Sequence, residues 1–522
     1  MRARGDRGWL IPLVLAGGLL AMLALTRLAA GLAAIGQMPQ LDYGEPIVYG
    51  HAARIPNGEA LYQPLDRAPF TVAAYTPLYY KLASELQVRV GPGFGPGRAL
   101  SYAAGLATSL GVAWLAARST RSVWAGLFAA LLFLGLGFPG TVPWFALYRV
   151  DMLAEALSLG AIVVLAHGTT ARHALLAGVL AALAILTKQS YLAAALAGAV
   201  WLWRLRPRRA LLFGGTSLGL AGLVGGAEER ATGAFLANAV VANANPLNLE
   251  QAVGFAGLFA QTLGAPLAIA VVHVASTRPW RQTPTRLLLL YWLASALPLV
   301  GLLKFGASYN YWVEFAASTA VLATLGLWSP AARQAGGRLA SRGLAWLLTL
   351  AIAGAAPAPV ATAATWLSGG SVAGIPDRAT TDEFQALVEF VRTRPGLVLA
   401  DPLDVLVLGG RPVLLEPVVF ALLADHGQWN ADVVVRGICA GDVSLLVLGA
   451  PLDTIARYAP NGQPWWPPRV MHALQARMQP AAPRAGRFLY VPATSAMQAN
   501  RPRPDAPGTT SGCPPSMPPT DG

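Results

Sequence analysis

Long apolar runs follow one another through most of the chain, and they limit it to folds that span a membrane. Only α-helices and closed barrels satisfy the backbone inside a bilayer, and Leu/Ala runs without period-2 alternation select helices. Each run is near the length that a bilayer requires, so we predict an all-α polytopic membrane domain with about eleven transmembrane helices. The runs lie at residues 9–36, 98–117, 122–140, 152–167, 174–188, 190–203, 210–226, 262–276, 287–304, 313–328 and 343–366.

The composition supports the membrane class and argues against nucleic-acid binding. Hydrophobic residues make up 55% of the 522 residues and charged residues only 12%, which is too apolar for a soluble multidomain protein. The formal net charge of +13 arises from short basic clusters between apolar runs, as topology signals do. We therefore expect membrane lipids around the chain and no nucleic acid.

The basic clusters also predict the orientation. With a cytoplasmic N-terminus, five arginine-bearing connections fall inside, as the positive-inside rule expects: Arg118 with Arg121, Arg172, Arg204–Arg209, Arg278–Arg286 and Arg333–Arg342. Connections with acidic, amide and aromatic residues then fall outside: 37–97, Trp144–Asp151, Lys188–Ser190, Glu228–Gly254 and Lys304–Trp312. This asymmetry predicts a multi-pass protein of the cytoplasmic (inner) membrane whose chemistry takes place at the outer leaflet.

After Trp366 the pattern changes to that of a soluble domain. Thr380 and Glu383 form a capping box before an amphipathic helix with Phe384, Leu387, Val388 and Val391 at helical spacing. Short β-like runs follow at 397–400, 405–410, 444–449 and 487–493. We predict a membrane domain at 1–366 with its first outer loop at 37–97, an extracytoplasmic α/β domain at 367–496, and a disordered Pro/Ser/Thr-rich tail at 497–522.

Several common motifs are absent from the sequence. It has no GxGxxG or GxxxxGK[ST] loop, no HExxH pair and no GxSxG elbow. Two cysteines, Cys439 and Cys513, exclude a disulfide framework and leave one bridge open.

The first outer loop carries the strongest candidate residues. Ionisable groups directly beside a membrane span are costly to desolvate, so a cluster of them indicates a site. Asp42 comes first after span one and is our candidate general base; alternatively it is a solvated loop residue or caps a helix end. Glu45 would ligate a metal or position Asp42, or else pair with His51 or Arg54.

Arg149 and Asp151 open the fourth apolar run from the outer side. Residues two apart point to different faces of a regular helix, so they are poor partners for each other there. Each is then available for a ligand, or for a structural pairing with another loop.

Two further outer connections add candidates. Lys188, followed by Gln189, lies between two spans and either reaches the headgroups or binds a lipid phosphate as a point charge. Tyr309 and Asn310 either line a groove for a sugar or acceptor, or belong to an aromatic belt at the interface.

The sequence resembles the GT-C glycosyltransferases, within them the bacterial branch related to protein O-mannosyltransferases and lipid A aminoarabinose transferases. The resemblance rests on short elements that follow or separate the spans: L-D-Y-G-E at 41–45, H-A-A-R at 51–54, N-G-E-A-L-Y at 57–62, Y-T-P-L-Y-Y at 75–80, Y-R-V-D at 148–151, T-K-Q-S at 187–190 and Y-N-Y-W at 309–312. One departure is the D-x-x-E spacing of Asp42 and Glu45, where many protein mannosyltransferases have an adjacent Asp-Glu pair.

The resemblance implies an inverting transfer of a sugar from a polyprenyl-phosphate donor to a hydroxyl of a glycan, lipid or protein acceptor. It implies that Asp42 is the base and Glu45 a second carboxylate. Asp151 is similar to the acidic residue of the second outer loop, and Lys188 to a donor-phosphate contact. We expect His51, Arg54, Arg149, Gln189, Tyr309 and Asn310 to bind substrate. A divalent cation or a Lys/Arg group would neutralise the leaving phosphate.

Two other functions stay open at the level of sequence. A transporter or flippase of lipid-linked sugars predicts polar residues along the mid-membrane faces, whereas these spans look dry. A non-catalytic membrane assembly protein would need no fixed geometry for its outer acidic residues.

Overall fold

The computed structural model describes residues 10–139, 144–243, 245–278, 280, 283–328, 337–355, 361 and 378–493. The chain forms two compact units, each built from three segments. The first unit comprises Met1–Gln37, Tyr75–Ala231 and Asn245–Ile375, and the second comprises Met38–Ala74, Thr232–Ala244 and Pro376–Gly522. Part of the predicted first outer loop therefore belongs to the same unit as the C-terminal domain.

The regular secondary structure described in the first unit is helical, apart from an isolated β-bridge between Leu247 and Lys304. Its α-helices are Leu10–Ile35, Pro77–Val90, Gly95–Thr120, Val123–Leu136, Asp151–His167, Ala171–Thr187, Ala193–Leu205, Pro207–Thr232, Leu249–Thr277, Thr283–Ser295, Val313–Trp328 and Gly337–Ala355. Short 3₁₀ turns occur at Trp144–Ala146, Leu297–Leu303 and Tyr309–Trp312.

The described helices include five that are long and apolar enough to cross a membrane: Ile11–Ile35, Gly95–Thr120, Pro207–Thr232, Leu249–Thr277 and Thr285–Leu303. Four shorter apolar helices accompany them: Val123–Leu136, Ala171–Thr187, Ala193–Leu205 and Gly343–Ala355. The predicted polytopic membrane class is confirmed, while the count of about eleven spans stays a prediction.

Several predicted apolar runs coincide with helices, whereas others are too short where polar residues begin or end the helix. The run predicted at 313–328 coincides with the helix Val313–Trp328. The run predicted at 262–276 is too short, because its helix begins at Leu249. Asn248 caps that helix by accepting a hydrogen bond from the backbone N–H of Gln251 (2.8 Å). The first turn contains the polar residues Glu250 and Gln251, so the apolar pattern alone did not show where the helix begins.

Small residues allow these helices to approach closely. Gly126 lies so near the helix Gly95–Thr120 that an added Cβ would stand 2.6 Å from the carbonyl oxygen of Ala113. Helices in a bilayer gain stability mainly from such packing, because lipid tails are as apolar as the side chains. A larger residue at position 126 would force the two helices apart.

The second unit contains a four-stranded mixed sheet in the order β1-β2-β4-β3. The strands are β1 (Leu397–Asp401), β2 (Val443–Leu448), β3 (Met478–Arg484) and β4 (Arg487–Pro492). β1 and β2 are parallel, and β4 runs antiparallel to both β2 and β3. The helices of this unit are Gly44–Arg54, Phe235–Ala239, Arg378–Thr393, Asp404–Leu408, Pro417–Asp425, Asp432–Ala440, Leu452–Arg457 and Pro468–Arg477.

Alternate residues along the strands point to opposite faces of this sheet, and helices bury both faces. Val398, Leu445 and Leu489 pack with Phe384, Leu387, Val388 and Val391 of the helix Arg378–Thr393. On the other face, Leu399, Leu446 and Tyr490 pack with Phe420, Val434, Val470 and Leu474 from three other helices. Helices cover both faces, which is why the central strands are almost wholly apolar. The predicted C-terminal α/β domain is confirmed.

Local errors remain within this domain. The run at 405–410 was expected to be β-like, but it forms the helix Asp404–Leu408; a short, fully apolar run does not distinguish the two. β3 was missed because it contains two prolines, which are tolerated here on an edge strand. The helix Arg378–Thr393 begins before the predicted cap, and the side chain of Thr380 lies outside the described residues, as do the tail 497–522 and Cys513.

Candidate active site

Asp42 and Glu45 form the turn that begins the helix Gly44–Arg54. The Asp42 Oδ1 atom accepts a hydrogen bond from the Gly44 N–H (2.9 Å), and Glu45 Oε2 accepts one from the Leu41 N–H (2.7 Å). Glu45 also donates its N–H to the Asp42 carbonyl (3.2 Å). Its side chain is fully buried, whereas that of Asp42 is half-buried. Glu45 thus fixes the turn that holds Asp42 beside the helix N-terminus.

A buried ion pair lies at the start of the helix Asp151–His167. Asp151 Oδ1 accepts hydrogen bonds from Lys188 Nζ (2.6 Å) and Asn310 Nδ2 (2.9 Å). The relative exposure of all three residues is 4% or less. The structure thus brings together three predicted site residues from three separate connections, and Lys188 is paired with Asp151.

Arg149 is the more accessible cation beside this pair. Its Nε lies 3.9 Å from Asp151 Oδ2, and its Nη2 donates to the hydroxyl of Tyr75 (3.2 Å). The expectation that Arg149 and Asp151 avoid each other was wrong, because the helix begins at Asp151 and Arg149 lies in the turn before it. Two cations, Arg149 and Lys188, thus share the carboxylate of Asp151, and we call these three residues the cluster Arg149–Asp151–Lys188.

Aromatic rings surround the two cations. Lys188 Nζ lies 4.7 Å from the ring centroid of Tyr311, and Arg149 Cζ lies 5.3 Å from that of Trp144. Tyr309 packs on Trp144 with ring centroids 4.7 Å apart, so its ring is part of this aromatic wall. Gln189, next to Lys188, is half-buried. Cation–π contacts of this kind hold cations in place without neutralising their charge.

The sequence reasoning missed a polar stripe on the same helix. Glu155 and Ser158 follow Asp151 at helical spacing, and all three are fully buried. Ser158 donates to Glu314 Oε1, and the Tyr291 hydroxyl donates to Glu155 Oε1 (3.5 Å). The sequence contained a signal for this stripe, because the acidic residues Asp151 and Glu155 lie four positions apart along one apolar helix. The expectation of dry spans was therefore wrong for this helix.

His51 and Arg54 lie together on the second unit's helix Gly44–Arg54. Arg54 Nη1 donates to His51 Nδ1 (2.9 Å), and Nη2 donates to Thr71 Oγ1 (2.7 Å). Burial lowers the pKa of His51 well below its usual value, and the positive charge of Arg54 lowers it further. His51 is therefore neutral, with its proton on Nε2.

Glu416 faces the same residues and titrates near neutrality. Its Oε2 accepts the N–H of Val72 (3.1 Å), and it is almost completely buried. Burial raises the pKa of Glu416 to about 7, although the Val72 N–H and the charge of Arg54 oppose the shift. Sequence reasoning did not identify Glu416, because it lies far along the chain from the residues that it contacts.

Glu416 should make the stability of the second unit depend on pH. A carboxyl whose pKa is raised on folding stabilises the protein fully below its unfolded pKa, and the contribution disappears as pH rises through about 7. The expected loss is at most about 3 kcal/mol between pH 4.5 and pH 8. Thermal unfolding of wild type and Glu416→Gln across this range tests it; Asp425→Asn, an exposed neighbour, is the control. Parallel pH profiles for wild type and Glu416→Gln would contradict the assignment.

The described residues contain no group of three or more His, Cys, Asp or Glu side chains arranged to hold a metal ion. At Asp151 the charge that a metal would balance is already balanced by Lys188. Within the described part of the chain, the residues therefore do not fit the divalent cation considered from the sequence.

The comparisons with known proteins give a structural match only. No family model matches the chain, and no curated protein matches it in sequence. Among solved structures, it is similar to the lipid A aminoarabinose transferase ArnT from Cupriavidus metallidurans bound to undecaprenyl phosphate. The TM-score is 0.59 at 15% identity, over 94% of this chain and 99% of that one.

A second, more distant protein has the same architecture. The oligosaccharyltransferase AglB from Archaeoglobus fulgidus, in complex with an inhibitory peptide and a dolichol-phosphate, matches with a TM-score of 0.51 at 13% identity. The match covers 93% of this chain and 74% of that one. Both proteins are GT-C enzymes. The resemblance read from the sequence is thus confirmed for the fold, and the chain has the fold of the GT-C membrane glycosyltransferases.

Proposed function

We propose that this protein moves a sugar from a polyprenyl-phosphate donor to an acceptor hydroxyl at the outer face of the cytoplasmic membrane, with inversion at the anomeric carbon. The observation that carries the proposal is the buried cluster Arg149–Asp151–Lys188, in which two cations share one carboxylate. Its cations lie in a wall of aromatic rings, which suits a phosphate whose negative charge grows as the sugar leaves. The neighbours whose structures were solved with undecaprenyl phosphate and with a dolichol-phosphate support a donor of this class.

The two cations of the cluster have different roles in this proposal. Lys188 is almost completely buried and holds Asp151 at 2.6 Å, so it orients the carboxylate. The side chain of Arg149 is 14% exposed, and its planar guanidinium can form paired hydrogen bonds to a phosphate. Arg149 is thus the proposed phosphate contact, with Lys188 and Asn310 as positioning residues.

Asp42 is the proposed base. Its carboxylate takes the proton of the acceptor hydroxyl as that oxygen attacks the anomeric carbon. The bond between the anomeric carbon and the donor phosphate oxygen breaks in the same displacement, and its electron pair leaves with the phosphate. The N-terminus is proposed to be cytoplasmic and the C-terminal domain extracytoplasmic.

Transfer of labelled sugar from a panel of polyprenyl-phosphate sugars, in membranes that contain the protein, tests this function. Arg149→Gln should lower the transfer rate roughly 10²-fold, the usual effect of losing one donor that stabilises developing charge. Arg172→Gln is the matched control, because Arg172 is exposed and lies on a predicted cytoplasmic connection. Equal rates for the two variants would remove Arg149 from the phosphate site.

Transport of a lipid-linked sugar is a second candidate, which the polar stripe of Glu155, Ser158 and Glu314 favours. The same membranes separate the two functions. Movement of intact labelled lipid-linked sugar across the bilayer, with no sugar released from its phosphate, would replace the transferase by a transporter.

A further inference from the structure

Two carboxyl groups from different helices lie together inside the first unit. Glu155 belongs to the helix Asp151–His167, and Glu314 belongs to the helix Val313–Trp328. Glu314 Oε1 accepts a hydrogen bond from Ser158, which lies one turn from Glu155 on the same helix face. The negative charge of Glu314 also acts directly on Glu155. The two acidic side chains are therefore neighbours.

The hydrogen bonds of the two carboxyl groups are incomplete. The Tyr291 hydroxyl donates to Glu155 Oε1 at 3.5 Å and also interacts with Glu314. The Oε1 atom of each carboxyl group thus has a donor. The Oε2 atom of each is buried and has no hydrogen-bond partner among the described residues. A buried polar atom without a partner costs free energy, so these two oxygens point to something that both of them bind.

Burial makes the ionised form of either residue costly. The relative exposure is 0% for Glu155 and 3% for Glu314. In the described part of the chain, no ion pair joins either carboxyl group to a lysine or an arginine. A carboxylate that is removed from water without a cation is strongly disfavoured and protonates instead. Two neighbouring carboxylates also repel each other, so such a pair resists losing its last proton.

The other ionisable groups around the pair do not supply a positive charge to it. They are Tyr191, Tyr291, Lys188 and Asp151. Lys188 attracts Glu314, but its ammonium group donates to Asp151 Oδ1 at 2.6 Å and is held there. Asp151 is itself acidic, and the two tyrosines are neutral hydroxyls. A small cation that compensates the pair therefore has to be bound in addition to these side chains.

We propose that Glu155 and Glu314 form a proton-binding site in which the two carboxyl groups hold one proton between them. The protonated carboxyl group becomes a donor and the ionised one remains an acceptor, so one proton serves both Oε2 atoms. The proton thereby holds the helices Asp151–His167 and Val313–Trp328 together. Its release adds a negative charge one turn from Asp151, so the site links the pH to the charge beside the cluster Arg149–Asp151–Lys188. The inference does not rest on the proposed transfer.

Denaturant unfolding of the full-length protein in detergent, compared between wild type and Glu155→Gln at a series of pH values, tests the site. An unfolded glutamate ionises above its ordinary pKa of about 4.3, whereas the folded pair keeps its proton. The unfolding constant of wild type should therefore rise about tenfold per pH unit relative to the variant, for as long as the pair holds the proton. Glu314→Gln should differ from wild type in the same way, and exposed Glu250→Gln should run parallel to wild type.

Infrared spectroscopy of the folded protein at neutral pH gives a second readout, which stays decisive if a variant is unstable. In Glu416→Gln, which removes the titrating carboxyl group of the second unit, the pair should show the C=O band of a protonated carboxyl group. Adding Glu155→Gln or Glu314→Gln should remove this band. Absence of the band, a band that survives either replacement, or pH profiles of both variants parallel to wild type would each overturn the inference. Stabilisation by sodium relative to choline that requires Glu155 would also overturn it, because a metal ion would then take the place of the proton.

Discussion

Replacing Asp42 by asparagine should lower sugar transfer by roughly 10²- to 10⁴-fold, the range that a positioned general base contributes. Asparagine has nearly the same shape and keeps an oxygen for the Gly44 N–H that Asp42 Oδ1 accepts at 2.9 Å. The turn and the helix Gly44–Arg54 should therefore form normally, while the carboxylate that accepts the proton is lost. The measurement is the initial rate of labelled sugar transfer from the donor that wild type consumes best.

Two variants of the same loop control for this result. Asp66→Asn removes a carboxylate that is exposed and was not assigned a role, so its rate should equal that of wild type. Glu45→Gln keeps an acceptor for the Leu41 N–H, so a positioning role predicts a much smaller loss than for Asp42→Asn. Full activity of Asp42→Asn would remove the base assignment, while comparable losses at positions 42 and 45 would show that the two carboxylates act together.

The membrane helices could be predicted from the sequence because the free-energy cost of placing polar groups in a bilayer applies to each segment separately. A span must be apolar over its own length, and the run at 152–167 therefore locates the helix Asp151–His167 to within one residue. The same argument fails where a helix extends beyond its apolar part, as Leu249–Thr277 does. It also fails at β3, whose prolines are acceptable only because the strand lies at the sheet edge.

The site was less predictable because its contacts join distant parts of the chain. Lys188 and Asp151 are 37 positions apart, and sequence reasoning proposed both residues without pairing them. Glu314 meets Ser158 across 156 positions, and nothing in either local sequence indicates the partner. Ionisable residues cost free energy inside a membrane, so the sequence alone identifies them as candidate site residues. Tertiary packing then determines which of them contact each other.

Replacing Lys188 by methionine should lower the free energy of unfolding by about 3 to 5 kcal/mol, because one partner of a buried ion pair is removed. Asp151 is fully buried and would retain Asn310 at 2.9 Å, with Arg149 only at 3.9 Å. Denaturant unfolding of the purified protein in detergent measures the loss.

The pair Lys81–Glu228 provides the matched control, since the Lys81 side chain is 53% exposed. Lys81→Met should cost no more than about 1 kcal/mol, as exposed ion pairs do. The double variant Lys188→Met with Asp151→Leu should be more stable than Lys188→Met alone, because the uncompensated buried charge is gone. The assignment would be contradicted if Lys188→Met lowered the free energy of unfolding no more than Lys81→Met does, or if the double variant recovered none of the loss. Either result would show that Lys188 does not stabilise the buried charge of Asp151. In that case Lys188 would be available to the donor phosphate, and the role assigned to Arg149 would pass to it.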